Sequence, residues 1–218
     1  MNYNYRSVPS HRLIREEIAR GGFGVPSLFT ASMHAYLWSH LLDLLRFFFG
    51  DPVEVTASIV DDPSKRPPTS SNSGRAWTYP SEMLYHPSVA VSASFRFRRP
   101  DFIATMSASA SVPLEDHFWS FALFGEGGAL TVNGATRENL GGTPGLGPVA
   151  ERLRALPPFS YSDSFHGSVS GFVEALLQGG PAPVTAEDGL AAMRLDAAVV
   201  EAARTGRSVP FGGSDSKG

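Results

Sequence analysis

The chain has no cysteine in its 218 residues, which removes disulfides, thiolate nucleophiles and cysteine-ligated zinc from consideration. That absence also fits a reducing compartment. Lysine is nearly missing, with Lys65 and Lys217 alone, and the one dense basic stretch is Phe95-Arg96-Phe97-Arg98-Arg99. Charged residues make up 18% of the chain and the formal net charge is -3, so the cation clustering that neutralises a phosphate backbone is lacking and nucleic acid is not an expected partner. No run nears the roughly 20 apolar residues that cross a bilayer, and Met1 to Arg6 lack the apolar stretch of a signal peptide. A cytoplasmic protein without a membrane partner is the expectation. The six histidines include no His-x-x-x-His pair, so no metal signature stands out.

What is present is an ordered series of patterned segments. Tyr3 and Tyr5 alternate with polar neighbours and predict an opening strand. Ser7 or Ser10 can cap a following helix whose buried stripe is Leu13, Ile14 and Ile18, with Pro9 in its first turn and Gly21-Gly22 at its end. Residues 27–38 then read as a strand that puts His34, Tyr36 and Trp38 on one face and Phe29, Met33 and Leu37 on the other. Ser39 is the expected cap of a helix to Phe49, apolar almost all round and therefore buried, with Asp43 inside it.

Beyond Gly50, Val53 to Val60 is strand-like and residues 61–80 have no periodicity, which predicts a long loop. Strands are expected at 89–97, 102–111, 118–124 and 129–132, an irregular stretch at 139–148, and helices from Ser164 to Leu177 and from the capping box Thr185-Ala-Glu-Asp188 to Gly206. Helices at both ends of a run of strands predict an α+β domain over residues 1–211, with residues 212–218 a tail. Its architecture should be a single, mostly antiparallel open sheet with helices on one face.

Several of these segments, in order, resemble one known domain. They are Asn4-Tyr5-Arg6 before a proline, Ser39-His40-Leu41-Leu42-Asp43-Leu44-Leu45-Arg46 ending at Gly50-Asp51-Pro52, Phe172-Val173-Glu174-Ala175-Leu176, and Pro183-Val184-Thr185-Ala186-Glu187-Asp188-Gly189-Leu190. Together they are similar to the C-terminal α/β domain of the glucose-fructose oxidoreductase / inositol dehydrogenase (Gfo/Idh/MocA) family. The resemblance implies a sheet whose free face serves oligomerisation, such as a homodimer, and a small polar substrate, sugar-like or a polyol. It also implies that NAD(P) belongs to a separate N-terminal Rossmann domain, a partner that would hold the catalytic lysine as well. Gly141-Gly142-x-x-Gly145-x-Gly147 lies in a Pro-rich stretch and not between a strand and a helix, so no cofactor-binding residue is assigned to this chain.

The same resemblance supplies the site. Family members often carry Asp-x-x-x-His-x-x-Asp at the start of the buried helix, the histidine acting as acid or base on the oxidised hydroxyl. His40 matches the histidine, Asp43 the second aspartate, and Tyr36 stands where the first aspartate would be. His40 at a helix start is disfavoured as an imidazolium, which suits a neutral base. His40, Tyr36 and Asp43 are therefore the catalytic candidates, and His34, Trp38, Arg6 and His166 the substrate-binding ones.

A structural reading of Asp43 stands beside the catalytic one, since a buried carboxylate needs partners and Arg46 or Arg6 could provide them. Arg75, Trp77 and Tyr79 in the long loop could cover a site. Three functions follow: the substrate-binding and oligomerisation half of an NAD(P)-dependent oxidoreductase, a cofactor-independent isomerase, lyase or cyclase working by proton transfer, or a non-catalytic binding or assembly module.

Overall fold

The computed structural model describes residues 3–60, 90–98, 100–109, 119–134 and 140–212. The long loop with Arg75, Trp77 and Tyr79, together with His86 and His117, lies outside them. Among the described residues the chain forms one open sheet of eight strands with its helices on one face. The strands are β1 (Pro26–His34), β2 (Glu54–Val60), β3 (Ala90–Arg98), β4 (Asp101–Ser109), β5 (Trp119–Gly125), β6 (Gly128–Asn133), β7 (Leu140–Gly142) and β8 (Val209–Pro210). The helices are α1 (Pro9–Ala19), α2 (Trp38–Phe49), α3 (Gly147–Arg154), α4 (Tyr161–Gln178) and α5 (Ala186–Thr205).

The sheet order is β7-β6-β5-β1-β4-β3-β2-β8. Every pairing is antiparallel except β1 with β4, as the expected mostly antiparallel α+β architecture requires. Alternation decides the two faces. Phe29, Ala31 and Met33 of β1 and Ala104, Met106 and Ala108 of β4 are buried under the helices, while Thr30, Ser32, Thr105 and Ser107 point the other way. α2 brings Leu41, Leu42, Leu44 and Leu45 into that core, all fully buried. Burying one such leucine contributes about 2 kcal/mol.

Besides the short edge strands β7 and β8, which were not expected, three segments differ from the sequence expectation. Residues Asn4–Ser7 form a 3-10 turn and not a strand, closed by Arg6 N–H to the Tyr3 carbonyl at 3.1 Å. That turn puts Tyr3 and Tyr5 into the core and swings Arg6 inward. β1 stops at His34, and a 3-10 turn, Ala35–Leu37, leads into α2 at Trp38. The alternating face of His34, Tyr36 and Trp38 therefore does not exist. Trp38 is buried, and its indole N–H reaches Asp196 Oδ1 of α5 at 2.8 Å, a contact that a continued strand would not make. α3 is the third difference. Its signal was present in Val149, Ala150 and Leu153, which share a buried face, but it follows directly on a stretch so rich in glycine and proline that it reads as irregular.

The glycines of that stretch serve close packing. A Cβ on Gly145 would lie 2.5 Å from the Gly127 carbonyl oxygen in the turn between β5 and β6, so only glycine lets the two backbones approach. The capping box of α5 is as expected, and a second one, not expected from the sequence, starts α4 three residues before Ser164. Thr185 Oγ1 accepts from Asp188 N–H at 3.2 Å while Asp188 accepts from Thr185 N–H at 2.9 Å, and Ser160 with Asp163 does the same for α4.

Candidate functional site

The site is built around the first turns of α2 and the 3-10 turn that precedes α1. Arg6 is the joint between them. Its Nε donates to Asp43 Oδ2 at 2.8 Å and its Nη2 to Asp43 Oδ1 at 2.5 Å, a bidentate fork to a carboxylate that is fully buried. Nη2 also lies 3.0 Å from Asp188 Oδ1. Burial opposes the charge on Arg6, but the hydrogen bonds and charges of Asp43 and Asp188 outweigh it and raise its pKa. Burial likewise pushes the Asp43 carboxyl up, against the pull of Arg6. Arg46, the other expected partner of Asp43, turns away to Asp51 at 2.5 Å and to the Asp188 carbonyl at 3.3 Å. Arg6 lies over Phe47 at 5.4 Å, and its outer edge lines a cleft of about 670 Å³ between α1 and α4 together with Arg12, Arg15 and Ser170.

His40 sits in the first turn of α2, partly exposed, with its ring edge-on to Tyr3 at 5.5 Å and to Tyr5 at 5.1 Å. Burial lowers its pKa to about 4, so the imidazole is neutral at pH 7. Its Nδ1 is buried and has no hydrogen-bond partner among the described residues. A neutral imidazole with an uncommitted nitrogen can accept or return one proton.

Behind Tyr5 lies a second histidine that the sequence reading passed over. His11 is fully buried on α1, with rings of Tyr5, Trp119, Phe121 and Phe48 around it at 5.0 to 6.4 Å. Its Nδ1 is 2.8 Å from the Tyr5 carbonyl oxygen. A carbonyl only accepts, so Nδ1 carries the proton. Burial, only partly offset by that carbonyl, pushes its pKa down to about 4. The signal for His11 was helical spacing, since His11, Ile14 and Ile18 fall on one stripe.

The remaining candidates are dispersed. His34 ends β1 and is buried, and Trp38 is committed to the core and to Asp196 rather than to a pocket wall. Tyr36 lies on the 3-10 turn between them, and its side chain is outside the described set. His166 is exposed on α4, one turn from Asp163. The structure thus gathers His40, Arg6 and Asp43 with Tyr3, Tyr5 and His11, and it keeps His166 apart. Among the described residues no group of three or more His, Asp or Glu could hold a metal ion. They do not fit a dinucleotide either. The glycine-rich stretch packs against a hairpin and offers no pyrophosphate cradle.

The family described as "Oxidoreductase family, C-terminal alpha/beta domain" matches residues 30–211. No curated protein sequence matches the chain. Among solved structures, levoglucosan dehydrogenase in its apo form aligns at a TM-score of 0.69 and 18% identity, over 95% of this chain and 65% of the other. The same dehydrogenase in complex with NADH and levoglucosan aligns at 0.69 and 17%, over 96% and 65%. A myo-inositol dehydrogenase from Corynebacterium glutamicum aligns at 0.66 and 19%, over 96% and 63%. The chain therefore spans less than two thirds of these proteins.

Two outcomes are expected from this geometry. Asp43→Asn leaves Arg6 buried against a neutral amide and should cost about 3 kcal/mol of unfolding free energy in urea titration; a loss below 1 kcal/mol would show that Asp188 alone holds the guanidinium. His11 should make the fold acid-sensitive. Its depressed folded pKa means that the unfolded chain takes up the proton first, so its contribution is complete above pH 6.5 and is lost as pH falls towards 4. At pH 4 and below that is on the order of 3 kcal/mol, and His11→Asn, which keeps an amide near the Tyr5 carbonyl, should make the stability profile shallower between those pH values without flattening it, because His40, also lowered to about 4, contributes in the same direction.

Proposed function

This chain belongs to the Gfo/Idh/MocA oxidoreductase family as its C-terminal α/β domain, and we propose that it forms the substrate-facing half of an NAD(P)-dependent oxidoreductase in which His40 is the acid-base group. The observation that carries this reading is the state of His40: a neutral imidazole, edge-on to Tyr3 and Tyr5, with a buried Nδ1 that lacks a hydrogen-bond partner among the described residues. The ring is partly open, and a substrate hydroxyl that reached it would donate to Nε2, since Nδ1 is enclosed, and lose its proton there. Members of the family bind NAD(P) on an N-terminal domain. The described residues of this chain do not fit that cofactor, and the reading assigns them no contact with it.

Within this reading Arg6 and Asp43 are positioning residues. Their fork fixes the turn that carries Tyr3 and Tyr5 against the first turn of α2. The substrate class is small and polar, a polyol or a sugar. Solved relatives hold levoglucosan or L-sorbose together with NADH, which accords with such a ligand.

The face of the sheet opposite the helices supports self-association. Asn133, Ser120, Ser32, Ser107, Ser92 and Ser58 form one row across six strands, and Ser32 and Ser107 are hydrogen-bonded at 3.1 Å. Short hydroxyl side chains leave a flat surface with no charge along that row, on which a second copy can lie.

His40→Asn should lower substrate-dependent NAD(P) reduction by about 100-fold or more in the assembled enzyme, mainly in kcat. Full retention of activity would sink the catalytic role and leave a binding or assembly module. Turnover by the purified chain without any nicotinamide would instead favour a cofactor-independent isomerase or lyase. For the sheet face, Ser107→Arg should convert a dimer to a monomer in light scattering, and an unaltered chain that is already monomeric would remove the assignment.

A further inference from the structure

The turn Asn4–Ser7 is tied down by side-chain bonds to three different parts of the chain. Asn4 Nδ2 donates to Ser164 Oγ of α4 at 2.7 Å, Arg6 is received by Asp43 and Asp188, and between them the Tyr5 carbonyl accepts His11 Nδ1–H of α1 at 2.8 Å. The first two act through the residues on either side. His11 acts on Tyr5 itself, at its carbonyl and along its ring, which lies 6.4 Å from the imidazole and 15° from parallel.

That bond is not needed to satisfy the carbonyl, which already accepts the Val8 N–H at 3.2 Å. Nor is an imidazole the most favourable filling for the space. His11 is fully buried among Tyr5, Phe48, Trp119 and Phe121, and its Nε2 has no hydrogen-bond partner among the described residues. An apolar side chain would fill the same box without that loss. What the imidazole adds is direction, and Tyr5 receives it. The same Tyr5 ring stands 5.1 Å from the ring of His40.

We infer that His11 is a positioning residue for His40: its bond to the Tyr5 carbonyl sets where the Tyr5 ring stands, and that ring decides how far water reaches the His40 imidazole. The inference rests on the acid-base role proposed above for its functional meaning. The titratable groups packed on the His40 ring are the phenols of Tyr3 and Tyr5. On its own helix the Asp43 charge is answered by Arg6, and burial alone accounts for the lowered pKa of His40. Its proton affinity therefore follows the fit of this wall. A Tyr5 ring that drifts lets water in, and His40 is then protonated, and lost as an acceptor, at a higher pH.

The test follows the His40 ring directly. In the full chain carrying isotope-labelled histidine, the ring nitrogens are read by NMR through a pH titration, with the His40 signals assigned by their absence in His40→Asn. The unaltered chain should titrate at about 4. His11→Gln puts its amide where Nε2 lies and takes the donor from the Tyr5 carbonyl, while His11→Phe keeps the box filled and apolar. In both, the His40 midpoint should rise by about one pH unit or more, an about tenfold gain in proton affinity. His11→Asn puts its amide where Nδ1 lies and should stay within about 0.3 of a pH unit of the unaltered chain. A role confined to packing would move the Asn and Gln variants alike and leave the Phe variant unmoved, and either result overturns the proposal. So does an unaltered chain that titrates near 6.5. Melting curves report the folding of each variant, and the Phe variant, which buries no polar atom at this position, decides alone where the amides do not fold. The acid-base reading fails separately: full activity of His40→Asn in the assembled enzyme would remove it and leave the coupling between the two histidines standing.

Discussion

The Arg6 guanidinium is shared by Asp43 of α2 and Asp188 of α5, and three parts of the chain that are far apart in sequence meet at it. Without a carboxylate to receive it, the inward turn Asn4–Ser7 would bury an unpaired cation, a state costly enough to undo the turn. With the fork in place, Tyr5 is set against both His40 and His11, and Asn4 reaches Ser164. The wall around His40 and the seating of α4 both depend on that one charge. Asp188 is doubly employed, since its other oxygen caps α5 through Thr185, so the start of α5 and the ion pair are positioned together.

Two neutral histidines flank Tyr5 for the same physical reason, and their chemistry differs because of geometry. Burial suppresses protonation of each. His11 has its proton committed to a backbone carbonyl within an aromatic box, so it serves as a fixed strut. Both rings keep one buried nitrogen without a partner among the described residues, His11 Nε2 and His40 Nδ1, but only the His40 ring is partly open, which is what a proton-transfer group needs. Residue type and pKa alone would not separate the two.

Much of this was legible in the sequence, and what was not has identifiable causes. Period-two alternation found β2 to β6 to within a few residues, because one face of each is buried and the other solvated. Terminal glycines marked the ends of α4 and α5 and a capping box the start of α5, while the capping box of Ser160 and Asp163 that starts α4 was overlooked. The stretch from His34 to Trp38 misled because alternate aromatic residues imitate a strand, while a 3-10 turn and the pull of Asp196 on the Trp38 indole decide its path. The partner of Asp43 was open between Arg46 and Arg6, since spacing along one helix favours the first and only tertiary structure brings in the second. His11 was missed because a histidine on a helical stripe looks like any other core position until its neighbours are known.

The single parallel pairing, β1 with β4, has a consequence for how the chain acquires its structure. β3 and β4 can form as a hairpin from neighbouring residues, and so can β5 and β6, but β1 joins neither locally. Its Ser32 meets Ser107 across 75 residues of sequence, and its other edge waits for β5. Closing such distant contacts loses chain entropy before it gains packing. The N-terminal third, which carries the first turn and α2, thus leaves the ribosome long before the strands that bracket it exist. Its pairing is incomplete until synthesis has passed β5, after which β6, β7 and β8 are added towards the two edges.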